Sequence, residues 1–97
     1  MIEHTVTFRL KPPPGSAEEA AFLDTAATLA GLPGVRNFTI RRQISPQLDH
    51  TFGITMRFAS QADYDAYTAH PAHVEFVQTR WLSEVASFQE ADFIPLS

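Results

Sequence analysis

The sequence has no cysteine, no long apolar run and no excess of basic charge, and each absence closes a class of function. Without cysteine among 97 residues there are no disulfides, thiol nucleophiles or thiolate metal ligands, and a cytoplasmic location is expected. No segment approaches the apolar run needed to span a membrane. The opening stretch "MIEHTVTFRL" carries an acid and no basic n-region, so it is expected to be structure and not a signal peptide. A net charge of −4 gives no electrostatic footprint for nucleic acid or anionic lipid. Internal repeats and low-complexity segments are absent too, which sets aside solenoids and linkers. What is present suits one globular domain spanning residues 1–97: hydrophobic residues make up 44% and charged residues 19%, too apolar for a disordered chain.

Periodicity orders the elements. Ile2, His4, Val6, Phe8 and Leu10 alternate with Glu3, Thr5, Thr7 and Arg9, the signature of a half-buried strand, with His4 the odd member on the apolar face. The run "KPPPGS" then breaks the chain, because consecutive prolines cannot continue a strand ladder. Ser16 followed by Glu19 reads as a capping box, starting a helix whose inward stripe is Phe22, Ala26 and Leu29, flanked by Leu23, Ala27 and Ala30. Gly31 ends it. Val35 to Ile44 is predicted as a second strand, with Phe38 and Ile40 on one face and Asn37, Thr39 and Arg41 on the other. Thr51 to Phe58 is predicted as a third, with Phe52, Ile54, Met56 and Phe58 inward. Ser60 with Asp63 caps a helix that reaches Pro71. A further helix is predicted from Pro71 to about Glu84, and a last strand within Val85 to Ile94. The order β-α-β-β-α-β predicts an α+β, ferredoxin-like fold: a four-stranded antiparallel sheet with helices on one face. The other face, rich in Thr5, Thr7, Arg9, Thr39, Arg41, Thr55 and Arg57, is either solvated or pressed against a partner's sheet.

The stretch "DYDAYTAHPAHVEF" concentrates the chemistry. A residue before proline is pushed out of the α region, so His70 is expected at a helix break, with Pro71 as the first residue of the next segment. His73 then falls in a first helical turn, where the positive end of the dipole disfavours imidazolium and leaves the neutral ring a general base needs. Tyr67, one turn before the break, offers a phenol that can donate to a developing oxyanion. His4, on the apolar face of a central strand, is expected to approach both. The space between sheet and helices would then be an apolar pocket lined by Val6, Phe8, Phe38, Ile54, Val74 and Val77, with convergent polar groups. The structural reading of the same residues is a core histidine satisfied by one hydrogen bond, a packed tyrosine and a helix cap. His70 and His73 are spaced to share a cation, but no Asp, Glu or Cys joins them at ligand spacing in this stretch, so no metal is expected.

"MIEHTVTFRLK", "LPGV" and "YTAHPAHVEF" together resemble the stress-responsive dimeric A/B barrel (Dabb) family over nearly the whole chain. The resemblance implies that the threonine-rich faces of two copies pack into a dimeric α+β barrel, and that no cofactor is needed. One member, a plant polyketide cyclase, closes a ring by aldol condensation. Similarity to it implies catalytic roles for Tyr67 and His73, with supporting roles for His70 and His4. Where the cyclase has a glycine that keeps its pocket open this chain has Glu75, which is expected to narrow or reshape the site. Before the third strand, His50 stands where family members often have a tyrosine.

Three functions follow as expectations: a stress-related or metabolic homodimer that binds a small hydrophobic or aromatic molecule, a lyase-like cyclase using the His73–Tyr67 pair, or a cofactor-free monooxygenase. The element order is also that of an RNA-recognition motif, and "TFGITMRF" resembles its third-strand signature. The first strand, however, carries Ile2, Val6 and Leu10 in place of a stacking platform, and the chain is acidic, so no nucleic-acid partner is expected.

Overall fold

Strict alternation sets the central strand, β1 (Ile2–Leu10): every even-numbered side chain is buried and every odd one half-buried. In the computed structural model, which describes residues 1–97, β1 is followed by α1 (Ala17–Ala27), β2 (Arg36–Arg42), β3 (Phe52–Phe58), α2 (Gln61–Ala69), α3 (Pro71–Phe76) and β4 (Val85–Phe93). The strands form one antiparallel sheet in the order β2-β3-β1-β4. The fold is therefore ferredoxin-like, with β1 in the interior of the sheet and β2 and β4 at its edges.

The caps fall where the sequence places them. The Ser16 hydroxyl accepts from the Glu19 N–H at 3.1 Å, and the Glu19 carboxylate accepts from the Gly15 N–H at 3.1 Å. The first satisfies a donor that the helix start leaves orphaned, and the second ties the residue before the cap to the first turn. α1 buries Phe22 and Ala26, and a tight 3₁₀ turn over Thr28–Gly31 adds Leu29. The buried stripe is narrower than predicted: Leu23 is half-buried, while Ala27 and Ala30 are exposed.

β2 is shorter than its predicted span of Val35 to Ile44 and carries an irregularity. Its register on β3 shifts between Arg36, opposite Arg57, and Thr39, opposite Thr55. Asn37 sits inside the shift with φ +53°, a left-handed conformation that asparagine tolerates better than most residues. The extra residue puts Arg36 on the outer face with Arg57, where strict alternation would have turned it inward.

The second helical region is one path with two interruptions. Pro71 holds His70 in extended conformation (φ −62°, ψ 133°) between α2 and α3. After α3 the predicted uninterrupted helix becomes a π-helical turn over Val77–Trp81, in which the Leu82 N–H donates to the Val77 carbonyl, before a last turn at Leu82–Glu84. Wide turns of this kind re-aim side chains and occur often at functional sites. Here the turn places the Trp81 ring against Phe8, 5.1 Å away, and Phe88, 5.4 Å away.

Phe8, Phe22, Met56 and Phe58 are the largest fully buried side chains. On the opposite face the Thr39 and Thr55 hydroxyls lie 2.6 Å apart, and the Thr7 hydroxyl lies 2.8 Å from His50 Nδ1. No helix is long and apolar enough to cross a membrane.

Candidate functional site

Between the sheet and the helices lies a cavity of about 270 Å³ whose walls come from β1, β3, β4, α2, α3 and the π-helical turn. Its apolar lining includes Val6, Ile54, Met56, Phe76 and Val77, and its polar groups are His4, Tyr67, His73 and Glu90. The volume is near the lower end for ligand sites, which run from roughly 300 to 1,000 Å³.

The His73 and Tyr67 rings pack at a tilt of 49°, with centroids 4.6 Å apart. The His73 Nδ1 lies 3.1 Å from the Thr68 carbonyl. A carbonyl only accepts, so Nδ1 carries the proton and Nε2 is left with the lone pair. Burial holds the imidazole below its ordinary value, opposed by the Thr68 hydrogen bond and aided by His4. The direction is the one expected from the sequence, but the leading cause is desolvation and not the dipole of α3, which is only six residues long. Tyr67 is 3% exposed. Burial first, and the nearby Glu90 carboxylate second, push its phenol well above the ordinary value, so it stays a donor at neutral pH. No hydrogen bond within the chain engages that hydroxyl.

His4 is held by two groups that the sequence left unremarked. In the register of β1 on β4 it stands opposite Asp92, and its Nδ1 donates to Asp92 Oδ1 at 2.6 Å. The Tyr64 hydroxyl donates to Asp92 Oδ2 at 2.9 Å and lies 2.9 Å from the same His4 nitrogen. Asp92 and Tyr64 thereby fix the Nδ1–H form of His4 and leave Nε2 as the nitrogen open to a ligand. Burial, then the bond to Asp92, raise the Tyr64 phenol as well. Tyr64 stacks on Phe58 at 5.0 Å with rings nearly parallel, which sets its position on α2.

The structure brings His4, Val6, Ile54, Tyr67, His73 and Val77 to one cavity and keeps four other expected residues out of it. Phe8 is fully buried beneath, in ring contact with Phe22 and Phe52. Phe38 is half-buried on β2, the edge strand on the far side of the sheet from β4. Val74 is 37% exposed, because the turn that aims His73 inward aims its neighbour out. His70 caps α3, its Nδ1 accepting from the Ala72 N–H at 3.1 Å. Glu75 does not narrow the cavity either: it is exposed and lines a separate depression with Thr79 and Arg80. The residues that the sequence reading missed are Asp92, Tyr64, Glu90 and Trp81. The available signal was the alternation Phe88, Glu90, Asp92 in the last strand, which puts carboxylates on the helix-facing side beside a buried histidine.

A sequence profile of the stress responsive A/B barrel domain matches residues 2–95. No curated protein matches the chain in sequence. Among solved structures, a Dabb family protein with a ferredoxin-like fold from Mesorhizobium loti is 48% identical, with a TM-score of 0.96 over 99% of this chain and 97% of its own. The hydroxynitrile lyase from Passiflora edulis superposes at a TM-score of 0.82 with 16% identity, covering 99% of this chain and 94% of that one. A dimeric ferredoxin-like protein from Thermobifida fusca superposes at 0.79 with 17% identity, covering 97% and 90%.

Proposed function

The chain belongs to the stress responsive A/B barrel (Dabb) domain family, and we propose that within it this protein is a homodimer that binds a compact, mostly apolar carbonyl compound in the cavity between sheet and helices. The observation that carries the reading is the pairing of an unengaged phenol, Tyr67, with a neutral imidazole, His73, on the wall of one cavity. The phenol would donate to the carbonyl oxygen. The His73 Nε2 would stand next to the carbon beside it.

The same pair supports a second reading, in which binding is followed by chemistry. A base at the carbon next to a carbonyl and a donor at the oxygen are what proton abstraction to an enolate requires. That step would serve an aldol cyclisation. A lyase reaction of the hydroxynitrile type, for which the Passiflora edulis hydroxynitrile lyase shows a similar fold, would instead use the base on a hydroxyl proton as the carbonyl forms and cyanide leaves. His4, held by Asp92 and Tyr64, would stand by as a second proton acceptor or donor. No cofactor enters either reading. A monooxygenase reading has no residue of its own in the cavity, and oxygen uptake with an electron-rich quinol would reveal it.

Exchange of the methyl protons of acetophenone in D2O, followed by NMR, tests both readings. Binding with exchange that His73→Ala abolishes supports the chemical reading. Binding without exchange leaves a binding protein, and absence of binding overturns both. The dimer would pair the threonine-rich outer faces, as the family implies and as the dimeric relative from Thermobifida fusca makes reasonable. The lack of cysteine fits a reducing compartment, and a cytoplasmic location is part of the proposal.

A further inference from the structure

Of the polar groups that line the cavity, His4 is engaged by Asp92 and Tyr64, and His73 by Thr68. Glu90 is engaged by nothing in the chain. It stands opposite Val6 in the register of β1 on β4, which turns its side chain to the helix-facing side. It is the one carboxylate on the cavity wall. Its neighbours on the open side are Leu82, 66% exposed, and Phe88, 51% exposed, whereas the far wall is made of the buried Ile54, Met56 and Phe76. The cavity thus has an apolar interior, a phenol and an imidazole on its wall, and an unpartnered negative charge at its mouth.

We infer that Glu90 sets the specificity of this cavity, selecting ligands that bring an ammonium or hydroxyl group to the mouth and rejecting those that bring a carboxylate. The inference rests on the cavity being a ligand site, and it narrows the ligand to a carbonyl compound with a hydrogen-bond donor at its other end. A free carboxylate at the cavity mouth offers a hydrogen-bond acceptor to a donor group there, most strongly to a charged one. Glu90 is exposed, so a second carboxylate at the same mouth would meet like-charge repulsion that solvent weakens but does not remove at contact distance. The bland alternative is that Glu90 protects an edge: inward-pointing charges on edge strands discourage pairing with other chains. Under that role the ligand preference of the cavity would not depend on residue 90.

The two roles separate with three probes of one shape, benzylamine, benzyl alcohol and benzoate, titrated at pH 7 into the full chain and its Glu90→Gln variant by ¹H–¹⁵N NMR. In the unaltered protein benzylamine should bind about fivefold more tightly than benzyl alcohol, the upper end of what an exposed ion pair gives, and benzoate most weakly. In Glu90→Gln the advantage of the amine should fall to about twofold or less, with benzoate gaining. If benzyl alcohol shifts the resonances of His4, Tyr67 and His73 but the amine advantage is the same in both proteins, the role of Glu90 is overturned and the ligand site stands. If no probe shifts those resonances, the ligand site and the inference fall together.

Discussion

His73 is a base because of what surrounds it. The Thr68 carbonyl accepts the Nδ1–H hydrogen bond, which favours the charged ring, but burial penalises that ring more. Its native pKa therefore lies below the unfolded value of about 6.5. As pH falls, the unfolded chain takes up the proton first. The neutral ring thus contributes stability that is complete above about pH 6.5 and is lost as pH falls through the lowered native value. Urea denaturation between pH 7.5 and 5 should show a decline in stability that is shallower in His73→Gln. An equal slope in both proteins would remove the burial effect. A second expectation concerns His4. Asp92→Asn removes the charge that holds its Nδ1 proton, so long-range ¹H–¹⁵N spectra should show the Nδ1–H form giving way to a mixture of tautomers. A spectrum unchanged from the original would mean that Asp92 does not hold the ring. At this scale the sequence reveals residues that announce themselves along the chain: Tyr67 and His73 by spacing about a proline, His4 by breaking an apolar alternation. Alternation in the last strand gives the facing of Glu90 and Asp92, but what these two and Tyr64 do was hidden, since each acquires its role from a neighbour across the sheet or between layers. That neighbour depends on register, which local spacing does not contain.

Elements are more legible than contacts, because caps and breaks are local chemistry. The Ser16 side chain accepts the Glu19 N–H, and Ser16→Ala should cost about 1 kcal/mol in denaturation experiments, the usual worth of such a cap. A loss near zero would mean that the Glu19 bond to Gly15 alone secures the helix start. Ser60, Pro71 and the three prolines after β1 likewise act on adjacent residues and were readable for that reason. The shift at Asn37 and the π-helical turn at Val77–Trp81 were not. Both insert a residue into a regular ladder, and regular periodicity is what a sequence pattern measures. The consequence is functional, since the π-helical turn seats Trp81 and Val77 on the cavity wall. Deleting one residue of that turn, Gln78, should restore regular helix spacing and rotate Trp81 off Phe8. A retained upfield shift of the Phe8 ring protons would show that the contact does not need the wider turn.

For the whole molecule, fold and partner differ in how they are written. One-faced alternation in β1 and β3 demands a single helical layer, so the ferredoxin-like architecture was readable. The outer face, with Thr39 on Thr55 and flanking Arg41 and Arg57, is compatible with water or with a second sheet, and the dimer is accordingly a proposal. If two copies pair through it, Thr55→Arg should convert a species of twice the 10.8 kDa chain mass to a monomer in sedimentation experiments. A dimer that survives the change would place the interface elsewhere. The central claim is that the cavity behind β1 is the functional site of the molecule. The most direct measurement is a ¹H–¹⁵N and aromatic NMR titration with acetophenone. Saturable shifts confined to His4, Tyr67, His73 and their cavity neighbours, weakened in Tyr67→Phe, are the predicted result. Shifts absent there, or clustered on the threonine-rich outer face, would contradict it.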